Sequence, residues 1–325
     1  MTEQIIPSGV PAGFPVFDAH QHFWDPQENY HPWLSDEPMI PFRYGDYGPI
    51  RRRFLPPDYL AAAHPIKVVG SVYVETEWNP ADPIGETRYI HQIAARHGFP
   101  NAVVAQAWLN HPEAASLIAQ QAAFPLVRSV RHKPAAAPSL AEVRRGRTGG
   151  MDDPRWRDGF AQLHRHGLMF DLQTPWWELD AAADLAADFP ATTIVLNHAG
   201  LPADRSPEGL EGWRRHMARL ARHPNVAVKI SGIGLPGRPW LLADNGPVIR
   251  DAIAIFGWQR CMFASNFPVD SLVGSFATIF NGFHAATQGL PDVARRALFH
   301  DTAVGIYRPL PQDADEKSEM GGAIR

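Results

Sequence analysis

The stretch "KVVGSVYVE" (67–75), followed after a short loop by "GETRYIHQIAARHG" (85–98), decides how this chain is built. The first segment is a β-branched, apolar run of strand length. The second places Tyr89, Ile90 and Ile93 at helical spacing and closes on Gly98, the residue type that ends helices most readily. A strand followed by a helix is the unit that brings a chain back for another parallel strand.

The same unit recurs along the whole sequence. Strand-like runs stand at 14–20 ("FPVFDAH"), 67–75, 101–109 ("NAVVAQAWL") and 125–132 ("PLVRSVRH"). They continue at 168–173 ("LMFDLQ"), 192–198 ("TTIVLNH"), 225–231 ("NVAVKIS") and 260–266 ("RCMFASN"). Helical patterns lie between them, as in "DPRWRDGFAQLHRHG" and "SPEGLEGWRRHMARLARHP". Eight such pairs in 325 residues predict a closed (β/α)8 TIM barrel rather than an open doubly wound sheet. No G-x-G-x-x-G follows the first strand, which speaks against a dinucleotide fold. The expected organisation is an N-terminal tail over 1–13, one barrel domain over 14–309 and a polar, disordered tail over 310–325. The loop after strand 1, from Asp25 to about Pro57, is long and rich in proline and aromatics, as expected of a lid.

Composition narrows the partners. Thirty Lys and Arg stand against 34 Asp and Glu, both signs scattered, so no concentrated basic field invites nucleic acid or an anionic membrane. Cys261 is the single cysteine, which excludes an intrachain disulfide and suits a reducing compartment. No signal-peptide pattern and no run near the roughly 18 apolar residues of a membrane span is present. The expectation is a cytoplasmic protein with a small-molecule substrate, and a homo-oligomer is compatible with it.

A barrel carries its chemistry at the C-terminal ends of its strands. Here those ends bear His20 and His22; Glu75 and Glu77; Arg128, Arg131 and His132; Asp171 and Gln173; Asn197 and His198; Lys229 and Ser231; and Ser265 and Asn266, with Asp270 just beyond. Unpaired polar groups gathered at one mouth cost stability unless they bind something. His20 and His22 share a face by strand alternation, and His198 projects into the same mouth. Arg128 and Arg131 point to opposite faces of a regular strand, and Arg131, nearer the end, is the better candidate. Asp18 lies two residues before His20 on the same alternation and suits a buried structural acid. Trp24 and Trp33 would supply an apolar wall.

These residues carry a resemblance. "FDAHQHFWDP" with "YHPWL", then "VRSVRH", "IVLNHAGLP", "VKISGIG", "CMFASNFPVD" and "RRALFHDTAVGIYR" are together similar to the amidohydrolase 2 branch of the amidohydrolase superfamily, the TIM-barrel hydrolases that include sugar lactonases and 2-pyrone-4,6-dicarboxylate lactonase. The resemblance implies hydrolysis of a lactone or cyclic ester by water attack, with His20, His22, His198 and Asn266 catalytic. It implies Arg131, with Arg128 as second choice, as the arginine that holds a substrate carboxylate or carbonyl; Trp24, Glu75, Asp171, Gln173, Ser231 and Asp270 are expected substrate contacts from their places around the mouth. It also implies a single divalent metal, Zn or Mn, on His20, His22 and His198, or a metal-independent site using the same histidines. One departure stands out: relatives carry S-D-W-P at the eighth strand, and this chain carries S-N-F-P, so Asn266 replaces the usual aspartate. An amide offers neither charge to a cation nor a basic lone pair to water. A ligand-binding barrel without catalysis and a metal-dependent decarboxylase are the competing readings.

Overall fold

The computed structural model describes residues 9–310, so the outer parts of both tails lie outside the described residues. Eight strands run parallel in sequence order: β1 Val16–Gln21, β2 Val68–Val74, β3 Ala102–Gln106, β4 Val127–Arg131, β5 Met169–Leu172, β6 Ile194–Leu196, β7 Val226–Ile230 and β8 Cys261–Phe263. Seven fall within the runs expected of them, and β1 extends one residue past its run, to Gln21. The return helices are α1 Pro56–Ala63, α2 Gly85–His97, α3 Ala114–Ala122, α4 Pro154–Arg165, α5 Leu179–Asp188, α6 Pro207–Leu220, α7 Leu242–Phe256 and α8 Phe276–Ala286, and α9 Thr302–Tyr307 follows as a closing helix. This is the (β/α)8 barrel.

Local chemistry sets the helix ends. The Asp153, Ser206 and Ser275 side chains accept from backbone N–H groups in the first turns of α4, α6 and α8, and proline opens α1, α4 and α6. Gly98 stops α2 at φ +73°, a conformation that a side chain would oppose. The barrel closes just past β8, where Asn266 N–H donates to His20 O and His22 N–H to Phe267 O, each at 2.8 Å.

Two apolar layers flank the sheet. The outer one packs strands against helices and includes Trp156, Trp213 and the Phe263–Phe283 stack. The inner one fills the barrel with Phe17, Ala19, Val72, Val74, Val104, Met169, Val195, Ala227 and Met262, and Tyr307 of α9 joins it. Within this interior, Lys229 Nζ donates to Asp171 at 2.5 Å, and Tyr307 Oη donates to the same carboxylate at 2.9 Å. Both charged side chains are fully buried.

The alternation expected for β1 fails at one point. Its register on β2 shifts between Asp18 and Gln21. Asp18, between the inward Phe17 and Ala19, faces the outer layer, where it accepts from Tyr59 Oη and Ser265 Oγ, and past the shift His20 reaches the mouth beside His198. A bulge of this kind re-aims side chains at barrel rims.

Candidate active site

A cavity of about 350 Å³ opens at the C-terminal ends of the strands, a size that suits a small ligand. His22, Glu75, Thr76, Glu77, Arg131, Lys133, Gln173, His198 and Asn266 line it from the strand ends, and Trp33, Phe42 and Arg43 from the loop after β1. That loop is held down by its aromatics. Trp33 Nε1 donates to Thr76 O at 2.8 Å, Phe42 stacks on Trp33 at 5.7 Å, and Tyr44 Oη donates to Asp270 at 3.1 Å. Trp24, buried and part of the cavity wall, donates to Arg52 O at 2.9 Å.

Arg131 is fixed before any ligand arrives. Its Nε donates to a Glu75 carboxylate oxygen, Nη2 to Glu75 O and Nη1 to Gln173 Oε1. Three of its five N–H bonds are so used, which leaves two for the cavity. Glu75 and Arg131 are both buried, and the arginine holds the Glu75 carboxyl below its ordinary value against the opposing effect of burial. Behind them Glu86, pushed up to about 7 by burial and then by Glu75, accepts from Tyr73 Oη and from the N–H and hydroxyl of Thr76.

The imidazoles are neutral bases. Burial, reinforced by Arg131, pushes His22 down to about 3. Burial and then Arg43 hold His198 well below the usual histidine range, and burial and Lys229 do so for His20. His22 Nδ1 donates to Val74 O at 2.7 Å, so its Nε2 carries the lone pair. That lone pair lies 3.3 Å from Asn266 Oδ1. The amide is oriented by its other end, since Nδ2 donates to Asp270 Oδ1 at 2.7 Å. Two acceptors thus face one another, and such a pair needs a donor between them. On the far side His198 Nδ1 pairs with Ser231 Oγ at 2.9 Å. Gly232 makes room there: a Cβ at this position would come within 2.5 Å of His198 Nδ1 and 3.1 Å of Arg43 Nη1.

Three cavity residues on three different strand ends hold left-handed backbone: Glu77 at φ 56°, His198 at φ 55° and Asn266 at φ 56°. Non-glycine residues adopt this conformation at a cost of about 1–3 kcal/mol, and such residues cluster at functional sites.

The expected site residues sort into layers. Trp24, Glu75, Arg131 and Gln173 line the cavity with His22, His198 and Asn266. Asp171, Ser231, Asp270 and His20 lie one layer back. Asp171 is corrected from a substrate contact to the interior partner of Lys229 and Tyr307. Ser231 and Asp270 hold His198 and Asn266 rather than facing the cavity. Arg128 is corrected outright. It sits at the beginning of β4 and donates to the carbonyls of Arg308 and Pro125, away from the mouth. Arg43 and Lys133 are cavity cations that the sequence reading did not single out.

The metal that the resemblance implies would need His20, His22 and His198 to turn their nitrogens to one point. His20 has both ring nitrogens buried and unpartnered. Its ring lies against those of His22 and His198 at centroid distances of 5.0 and 4.7 Å, edge-on and tilted. Among the described residues no three His, Cys, Asp or Glu side chains converge as a metal requires. The charged side chains bearing on the histidines are Lys229, Arg131, Arg43 and Lys133, all positive. As arranged, the three histidines do not form a metal centre.

Asp270 leads to a stability prediction. Burial pushes its carboxyl up to about 6 from an ordinary 3.8. A folded value above the unfolded one means that its contribution is fully present below 3.8 and lost as pH rises through about 6. Asp270→Asn keeps an oxygen to accept from Asn266 and Tyr44 and removes the charge. It is expected to raise stability at pH 8 by ~3 kcal/mol and to flatten its change between pH 4 and 6. Denaturant melts at several pH values check this, and an unchanged slope would count against the assignment.

Comparison with known proteins fits this geometry. Residues 17–308 match the model of the Amidohydrolase family Amidohydro_2, and the chain belongs to that family. It is 40% identical over 298 residues to an uncharacterized protein, y4mH, of Sinorhizobium fredii, covering 90% of this chain and 98% of that one. It is 30% identical over 262 residues to an L-fucono-1,5-lactonase of Burkholderia ambifaria, covering 80% and 82%. A solved amidohydrolase of Burkholderia multivorans superposes with TM-score 0.73 at 27% identity in a crystal with HEPES and 26% in one with zinc, covering 91% of this chain and 99% of that one. Decarboxylase barrels at 12–14% identity share the fold alone. Among the described residues no helix is long and apolar enough to cross a membrane.

Proposed function

We propose that the protein hydrolyses a lactone or related cyclic ester at this mouth. The observation that carries the reading is Arg131, tied down by Glu75 and Gln173 with two N–H bonds to spare, in a cavity it shares with the facing acceptors His22 Nε2 and Asn266 Oδ1. A water molecule satisfies that acceptor pair by donating one hydrogen to each, which leaves its oxygen lone pairs for a carbonyl carbon. The substrate carbonyl oxygen then lies against Arg131.

As the water oxygen bonds to the carbonyl carbon, its proton passes to His22 Nε2 and the negative charge gathers on the carbonyl oxygen. Arg131, already oriented and in a water-poor pocket, stabilises that charge. Collapse breaks the ring C–O bond, and the proton on His22 goes to the departing alkoxide. The product is the open hydroxy acid, whose carboxyl proton is released to solvent to give the carboxylate. His22 is a weak base at rest, and the negative charge growing beside it makes it a stronger one as reaction proceeds. The lactonase relatives support the substrate class, and the strained backbone at Glu77, His198 and Asn266 supports a functional rather than a packing role for the mouth.

A lactone panel read with a pH indicator tests this, with and without prior dialysis against a chelator. Hydrolysis that survives chelation is the expected result, because His22 and Arg131 handle the proton and the charge. Hydrolysis lost on chelation and restored by Zn or Mn would replace this mechanism, and no hydrolysis in either condition would refute the reading.

A further inference from the structure

We infer that the substrate bears a free carboxylate, separate from the ester it presents to Arg131, and that Arg43 on the loop after β1 binds it. This rests on the lactone reading above and narrows it to anionic lactones.

Three cations line the cavity, Arg43, Arg131 and Lys133, against two carboxylates, Glu75 and Glu77. Arg131 is matched by Glu75, and Lys133 by Glu77 at 2.8 Å. Arg43 has no such partner in the cavity; its opposing charge is the buried Asp270, one layer back, whose carboxyl it holds down against the effect of burial. Among the described residues it pairs with no carboxylate; its guanidinium donates through Nη2 to Gly232 O and lies 4.6 Å over the Tyr44 ring. Most of its N–H bonds therefore have no protein acceptor.

Arg43 is also presented rather than dangling. Phe42 before it is stacked on Trp33, and Tyr44 after it is bonded to Asp270, so both flanking residues are anchored. Holding a long cationic side chain in place beforehand reduces what binding costs. Arg43 stands over the end of β7, through Gly232, whereas Arg131 ends β4. Two cations standing over the ends of different strands suit a ligand with two polar ends, the reacting carbonyl at one and a carboxylate at the other. The walls between them, Trp24, Trp33, Phe42 and Val269, are apolar and strengthen a charge pair made there. A neutral lactone would leave most of the Arg43 N–H bonds without an acceptor. A planar guanidinium with free N–H bonds is the group that grips a carboxylate in bidentate fashion.

The test compares galactarate monolactone with galactonate lactone of the same ring size, which differ by a carboxylate in place of a hydroxymethyl group. Wild type is expected to prefer the carboxylate-bearing ring. Arg43→Gln is expected to raise KM for that ring ~10–100-fold and KM for the neutral ring by at least tenfold less, and Arg43→Lys to recover part of the loss. Equal use of both rings by wild type, or an equal loss on both in Arg43→Gln, overturns the inference and leaves lactone hydrolysis standing. If neither ring is hydrolysed, calorimetric titration with galactarate decides. Binding to wild type that weakens in Arg43→Gln supports the carboxylate site while the hydrolase reading falls, and no binding to wild type overturns both.

Discussion

His22→Ala is expected to lower kcat/KM on a responsive lactone ~10²–10⁴-fold, the range for loss of a positioned general base. The substitution removes the Nε2 lone pair that faces Asn266 Oδ1 at 3.3 Å and so releases the attacking water from one of its two acceptors. KM should change little, because Arg131 and the aromatic walls remain in place. His22→Gln should stay close to the alanine variant, since an amide can hold water but cannot take its proton. The pH profile gives a second readout. With His22 at about 3 in the resting protein, kcat/KM should show no acid limb between pH 6 and 7. A His22→Ala variant within threefold of wild type would remove His22 from the chemistry, and a limb near 6 would be assigned to Asp270 if Asp270→Asn abolishes it.

The barrel was legible because its strands are buried on both faces, which leaves β-branched runs such as "KVVGSVYVE" and "TTIVLNH" against amphipathic helices. The mouth histidines were legible for a related reason: polar residues at the ends of otherwise apolar strands have few purely structural uses. Alternation then misled at β1, where Asp18 faces outward to Tyr59 and the register shift past it lets His20 reach the mouth. No single-chain periodicity reveals a bulge. Arg43 was not legible because the direction of a loop side chain follows from how Trp33, Phe42 and Tyr44 dock, not from spacing.

Asn266 gained most from the structure. Read as a motif it is a missing aspartate; in place it is the donor that holds Asp270 at 2.7 Å while turning its oxygen to His22. An aspartate there would set two buried carboxylates side by side, and one would be forced to keep a proton. The amide and Asp270 belong together, four residues apart in "SNFPVD". The turn that begins at Pro268 aims Asp270 back at Asn266, and that direction could not be read from strand alternation.

The largest stability effect is expected beneath the site, from Lys229→Met. Lys229 and Asp171 are both fully buried, and the carboxylate also accepts from Tyr307 Oη and Asn197 Nδ2. Methionine keeps most of the lysine stem's volume but leaves Asp171 without its cation, a change that costs about 3–5 kcal/mol in buried pairs. The loss should reach the site, because Asp171 anchors Asn197, the residue that leads into the left-handed turn at His198. Lys229→Met combined with Asp171→Asn removes the stranded charge while keeping an oxygen for Tyr307 and Asn197. Equilibrium denaturation should therefore find the double variant more stable than Lys229→Met alone. If the two prove equally unstable, the penalty lies in packing around the lysine stem, and the ion pair inside the barrel contributes little to the fold.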